Sequence, residues 1–261
     1  TTIDTASEAY NDGHYEMLVR HGDPYIYLTA DNSPVTLYGV ALEKDVSGVT
    51  WETFGVAGSS VASMQKQQFA HISDQIKQRD PALLVYWTGG NELGYPSVRS
   101  KTGKVYKRIY RNVVRQLRAG APEASCLLIG PLDQAVKERG AIISKPTLDN
   151  IIRFQREVAA EEGCAYWDAR AVMGGANSFN TWLNHEPAMA SPDLAHLTGR
   201  GRHVIGETFA DVMLRSYEVW KIEHPNPLDP SLTSVREVNP EPTTKENASE
   251  TEEPPQDVSR L

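Results

Sequence analysis

The sequence predicts an α/β domain built on a parallel sheet. Between residues 49 and 220, short runs rich in apolar, β-branched and aromatic residues alternate with longer amphipathic runs, the rhythm of repeated strand-helix units. Several of the strand-like runs lead directly into glycine-containing junctions, where a chain leaving a strand must turn sharply into a helix. A length of 261 residues with 40% hydrophobic content is enough to bury a sizeable core.

In chain order, residues 49–56 read as a strand and residues 61–79 as a helix. Residues 83–87, Leu-Leu-Val-Tyr-Trp, form a continuous apolar run typical of a strand buried on both faces. Residues 104–118 read as a helix with Val105, Ile109, Val113 and Leu117 spaced four apart on its inner face. Residues 126–129 give the next strand, 148–162 a helix, 164–167 a strand and 201–220 a closing helix. Ahead of this alternation, residues 25–29 and 35–42 look like two antiparallel strands joined by a turn at Asp31-Asn-Ser-Pro34, so residues 1–48 are expected to belong to a separate β-rich element. The Pro-, Glu-, Thr- and Ser-rich stretch from about Pro225 lacks the apolar area to offset chain entropy and is expected to be a disordered tail. The triplet at Asn247 to Ser249 fits a glycosylation acceptor but is the kind that arises by chance.

Composition excludes several classes. The net charge of −8 is concentrated in that tail, which holds eight acids against three bases, and the nearly neutral body lacks the basic footprint of a nucleic-acid binder. No stretch approaches the roughly 18 consecutive apolar residues of a membrane span. The chain opens Thr1-Thr2-Ile3-Asp4 without an initiator Met, so the natural start is expected upstream, together with any signal peptide. His14, His21, His71, His185, His203 and His224 lack metal-ligand spacing, and neither a metal nor another cofactor is expected. The basic residues Lys101, Lys104, Lys107, Arg108, Arg111, Arg115 and Arg118 fall at helical spacing opposite the apolar stripe and read as a solvated face. Cys126 and Cys164 each open a strand. They are either two small buried hydrophobes or, if those strands are neighbours, a disulfide that would favour an extracytoplasmic home.

Ligands of such sheets bind where strands end, and three junctions there are unusual. Gly58, in Gly55-Val-Ala-Gly-Ser-Ser60, offers a backbone N–H at the start of a helix, where the helix end adds positive potential. Asn91, after Gly89 and Gly90, offers a side-chain amide at the end of an apolar strand. Asp193 and His196, three residues apart after Ser191-Pro192, suit a carboxylate that fixes the tautomer of a histidine acting as general base. Each also has a bland reading: a turn glycine, an Asx turn and a helix cap.

Taken together and in this order, the three junctions resemble the SGNH, or GDSL-like, hydrolases. Gly58 matches the glycine block of that family, Gly89-Gly-Asn91 its G-x-N block and Asp193-x-x-His196 its D-x-x-H block. The phrases Gly48 to Gly58, Gly89 to Glu92, Ile129-Gly-Pro-Leu-Asp133 and Gly163 to Asp168 are similar to those of peptidoglycan O-acetylesterases, in which a β-rich insertion separates the serine block from the glycine block. The resemblance implies a flavodoxin-like three-layer sandwich with a parallel sheet. Residues 1–48 would be the end of the insertion, 49–222 the hydrolase core and 223–261 the tail. Gly58 and Asn91 would be the oxyanion donors, Asp193 and His196 the acid and base of a triad, and the substrate a small-molecule or polysaccharide acetyl ester outside the cytoplasm. The Gly-Asp-Ser block has no match in the 261 residues, so the nucleophile is expected upstream of Thr1 and the chain by itself is expected to be inactive. Ser59 and Ser60 follow Gly58, but neither has the second glycine of a nucleophile elbow. Acetyl transfer to a sugar, or glycan binding without catalysis, stays open as an alternative.

Overall fold

The computed structural model describes residues 27–29, 36–37, 39–44 and 46–224. The chain divides into two units, residues 1–208 and 209–261. The first holds a parallel sheet of β1 (Leu83–Trp87), β2 (Ser125–Ile129) and β5 (Ala165–Trp167) in the order β1-β2-β5. Leu83 pairs with Ser125, Trp87 with Ile129 and Ile129 with Trp167, so all three strands end level. The other strands, β3 (Ala135–Glu138) and β4 (Ala141–Ser144), form an antiparallel hairpin.

The helices α4 (Lys104–Ala119) and α5 (Leu148–Glu161) pack against one face of the sheet. Their contact is aromatic: Tyr106 stacks on Tyr110, which stacks on Tyr86 of β1, and Phe154 closes against Tyr106. Gly103, in the left-handed region at φ 57°, starts α4 directly under the Phe154 ring, where a Cβ would come within 2.4 Å of a ring carbon. Only glycine meets both conditions. The inner face of α4 is therefore Tyr106, Tyr110, Val113 and Val114, with Ile109 and Leu117 at its margin, and Val105 is 50% exposed. The stripe expected from sequence is rotated by one residue, because the two tyrosines bring more area to the core than Val105 does. The basic face pairs with the neighbouring helix: Lys107 with Glu157, Arg111 with Glu161, and Arg115 with Glu162.

Beyond β2 a second cluster gathers α6 (Ala169–Met173), α7 (Ser178–Leu183), the hairpin and the first turns of α8 (Gly199–Glu223) around Phe179, Trp182 and Trp167. Its polar anchor is Asp133, fully buried, which accepts from Ser144 Oγ at 2.6 Å, Arg170 Nε at 2.9 Å and the Phe179 N–H at 3.0 Å. A buried carboxylate is tolerable only when paired and bonded in this way. The described part of the second unit is the rest of α8, with Val212, Leu214, Tyr217, Val219 and Ile222 exposed.

Cys126 and Cys164 form a disulfide across the start of the β2–β5 pair. At a sequence separation of 38 the crosslink removes about 4 kcal/mol of unfolded-chain entropy in the loop-closure treatment.

Several elements differ from expectation. Residues 61–79 form two helices, α1 (Val61–Met64) and α2 (Phe69–Arg79), because the polar run Gln65-Lys-Gln-Gln68 has nothing to bury and closes as a turn. The short helices α3 (Pro96–Arg99), α6 and α7 and the hairpin were not legible as elements. Residues 49–56 do not form a strand. They carry no ladder hydrogen bonds, with Val49 95% and Phe54 79% exposed. A strand exists only beside another, and among the described residues nothing pairs with the free edge of β1. Of the expected strands at 25–29 and 35–42, the described residues 27–29, 36–37 and 39–42 are not strands, and the rest lies outside the described residues. The tail from Pro225 lies wholly outside.

Candidate active site

The three junctions singled out by sequence are linked by a chain of hydrogen bonds, and of the three only the Asn91 junction follows a strand of the sheet, β1. Gly58 is the third residue of a turn closed by the Ser59 N–H on the Val56 carbonyl at 3.0 Å, and its φ of 73° lies in the left-handed region. A Cβ there would meet nothing within 4 Å, so the backbone conformation rather than space calls for glycine. Asn91 stands in the loop after β1, and its Nδ2 donates to the Ser59 carbonyl at 2.7 Å. That bond occupies one of the two amide hydrogens and fixes the direction of the other, on an exposed side chain.

Beneath this pair, Glu92 is fully buried. Its Oε1 accepts from the Val61 N–H at 2.7 Å and from Thr88 Oγ1 at 2.8 Å, tying the first turn of α1 to the Asn91 loop. Its Oε2 is buried with no partner among the described residues. Ser60 caps α1: its Oγ accepts from the Ser63 N–H at 3.2 Å and lies 3.0 Å from the Tyr95 hydroxyl. Ser59 Oγ lies 3.3 Å from Ser63 Oγ. Neither serine hydrogen-bonds to His196 among the described residues, and the capping geometry accounts for Ser60 without any chemistry.

The loop before α8 carries Asp193 and His196. His196 Nδ1 lies 2.7 Å from Asp193 Oδ2, and Asp193 Oδ1 accepts the backbone N–H groups of Ala195 and His196, each at 2.9 Å. The imidazole side chain is 80% exposed, so Nε2 is open to solvent. Between the two, Leu194 has a φ of 63°, which is strained for a branched side chain. That conformation is held from outside, by the Ala135 N–H on the Leu194 carbonyl at 2.8 Å and by packing of Leu194 against the second cluster.

The carboxyl of Asp193 is pulled down from 3.8 to about 2, first by the two backbone N–H bonds and then by the imidazole. Because its folded pKa is depressed, the order this carboxylate gives the loop is complete above its ordinary pKa and is lost as the pH falls towards 2. Titration of the Asp193 carboxyl carbon by NMR should therefore show a midpoint near 2. In His196→Ala the midpoint should rise but stay below 3.8, since the larger, backbone contribution remains. A midpoint at the ordinary value in the unmodified protein would mean that the loop does not hold Asp193 in this way.

Two further residues complete the link between the junctions and were not singled out by sequence. Gln134 Nε2 donates to the Gly90 carbonyl at 3.3 Å, and Lys145 Nζ donates to Gln134 Oε1 at 2.8 Å. Ordinary polar residues at the ends of a short hairpin carry no sequence signal for this. Ser59 thus connects to Asn91, Gly90 to Gln134, and Ala135 to Leu194.

The sequence matches the GDSL-like lipase/acylhydrolase family over residues 9–204. Among curated proteins nothing matches by sequence. Of solved structures, the chain is similar to a peptidoglycan O-acetylesterase, with a TM-score of 0.54 and 22% identity over 62% of this chain and 45% of that one. It is also similar to an acetyl xylan esterase, with TM-score 0.45 and 19% identity over 60% and 78% of the two chains. For an acetylxylan esterase from Geobacillus stearothermophilus the values are 0.40 and 19%, over 58% and 66%. The first of these likenesses shows the α/β fold with its parallel sheet, and the chain spans less than half the length of that esterase.

Proposed function

Because the chain belongs to the GDSL-like lipase/acylhydrolase family, within the SGNH hydrolases, we propose that it carries the base and oxyanion half of a serine esterase site that removes O-acetyl groups from carbohydrate. The observation that carries the reading is the Asp193–His196 pair, at 2.7 Å with Nε2 free, joined by hydrogen bonds to the Asn91 and Gly58 junctions. Asp193 holds the Nδ1–H tautomer, which leaves the Nε2 lone pair to take a proton from a serine hydroxyl. As the serine attacks the acetyl carbonyl, the oxyanion accepts from the Gly58 N–H and the free Asn91 Nδ2–H. The protonated His196 then returns the proton to the departing sugar oxygen, and a water repeats the sequence on the acyl-enzyme.

The attacking serine is assigned to a part of the protein outside residues 1–261. Supporting this, the sequence lacks a Gly-Asp-Ser block. In addition, among the described residues β1, an unbroken apolar strand of the kind found inside sheets, has an unpaired edge, and residues 49–56 stand exposed without a ladder. A strand running into the serine block would supply the neighbour that both need. The Cys126–Cys164 disulfide supports a periplasmic or secreted location, since such bonds persist in oxidising compartments.

The test is acetate release from an O-acetylated glycan, measured for residues 1–261 and for the longer natural protein. The longer protein should hydrolyse the ester and residues 1–261 should remain near background. Equal rates would remove the upstream-serine assignment. Transfer of the acetyl group to added sugar in place of acetate release would favour a transferase, since the same acyl-enzyme serves both.

A further inference from the structure

The β3–β4 hairpin separates its residues into two faces by the two-residue alternation of strands. Ala135, Ile142 and Ser144 face inward: Ala135 is buried in the second cluster, Ile142 packs on it and Ser144 binds Asp133. The opposite face carries Val136, 38% exposed, and its ladder partner Ile143. The backbone bond from the Lys145 N–H to the Gln134 carbonyl, at 2.8 Å, extends the ladder by one pair and puts Gln134 and Lys145 on that same outer face. Here the hairpin meets the candidate active site. The Gln134 amide lies against Gly90, where a Cβ would come within 2.8 Å of Nε2, and the next residue, Ala135, bonds to Leu194 between Asp193 and His196.

Lys145 is only partly exposed, and among the described residues no carboxylate pairs with it; its ammonium is held by the neutral Gln134 amide. The acid on the same face, Glu138, is paired with Ala141 near the hairpin tip, about 13 Å along the strand at the usual rise, beyond the roughly 8 Å screening length of physiological salt. Asp193, the nearest acid of the other loop, is occupied by His196 and two backbone N–H groups. An ammonium held beside the site with no carboxylate partner among the described residues is available to pair with a charge on a ligand.

We propose that the outer face of the hairpin is a substrate wall that takes a sugar unit bearing a carboxylate, with Lys145 pairing with the carboxylate and Val136 and Ile143 lying under the apolar side of the ring. Gln134 keeps Lys145 against the Gly90–Asn91 loop, so the charged unit sits next to the one whose acetyl group is attacked. This deepens the esterase reading and rests on it only for the role of the neighbouring sugar.

Binding can be followed by amide chemical shifts of residues 1–261 on titration with trigalacturonate and, separately, with its fully methyl-esterified form, which has the same skeleton without charge. Trigalacturonate should shift the amides of Val136, Ile143 and Lys145 and bind about fivefold more tightly than the ester, in the range of a partly exposed ion pair. The preference should vanish in Lys145→Gln, survive in Lys145→Arg, and shrink at high salt. Equal affinity for the two forms, binding of neither, or a preference that persists in Lys145→Gln overturns the wall. The esterase reading is tested separately: a longer protein that binds the acidic sugar with this preference yet releases no acetate sinks the esterase and leaves the wall standing.

Discussion

In a protein extended to include the proposed serine, His196→Ala is expected to lower kcat for an acetylated glycan by about 10⁴- to 10⁶-fold, the range found when the base of a serine triad is removed. The imidazole is the group proposed to take the serine proton, and among the described residues its ring hydrogen-bonds to Asp193. Asp193→Asn should cost about 10⁴-fold while leaving the loop in place, because an amide oxygen can still accept the Ala195 and His196 N–H groups but cannot hold the same tautomer. Steady-state rates for both variants, with circular dichroism to confirm folding, check this. A loss of less than tenfold for His196→Ala would mean that another group is the base.

Asn91→Ala is expected to reduce kcat by about 10²- to 10³-fold with little change in KM, because the second Nδ2–H meets the oxygen only after it has become negative. The variant also loses the bond to the Ser59 carbonyl, which positions the Gly58 turn. Asn91→Ser separates the two effects: a hydroxyl can donate to one partner but not both, so it should recover the stability of the loop more than the rate. If Asn91→Ala raised KM and left kcat unchanged, the amide would be holding the substrate and not the transition state.

The parts of the fold legible in the sequence are those that depend on local pattern. The continuous apolar runs at residues 83–87 and 126–129 are strands because a buried parallel strand needs no alternation. Residues 49–56 show how far that logic reaches: Val49, Trp51, Phe54 and Val56 suit a strand, but a strand is a pairing and its neighbour is not among the described residues. On α4 the i+4 spacing points to Val105, whereas Tyr106 and Tyr110 are fully buried and carry the contact with β1 and α5. The hairpin turns at Arg139 and Gly140, both at positive φ, but its two strands of four residues, Ala-Val-Lys-Glu and Ala-Ile-Ile-Ser, are too short to signal.

At the site, the spacing of Asp193 and His196 was sufficient to propose a pair, because three residues bring the two side chains to one side of a tight turn. The strain at Leu194 that shapes this turn depends on Ala135, 59 positions away in sequence, and could not be read locally. The same holds for Gln134 on Gly90 and for the disulfide, which required knowing that β2 and β5 are neighbours.

Residues 1–261 are proposed to hold the base and oxyanion groups but not the nucleophile. Labelling with a fluorophosphonate, which reacts covalently with an activated serine, followed by peptide mass analysis, tests it most directly. No stoichiometric label is expected on residues 1–261, and in a protein extended to include the proposed serine a single labelled serine outside them is expected, lost in His196→Ala. A stoichiometric label on Ser59 or Ser60 of residues 1–261, lost in His196→Ala, would contradict it.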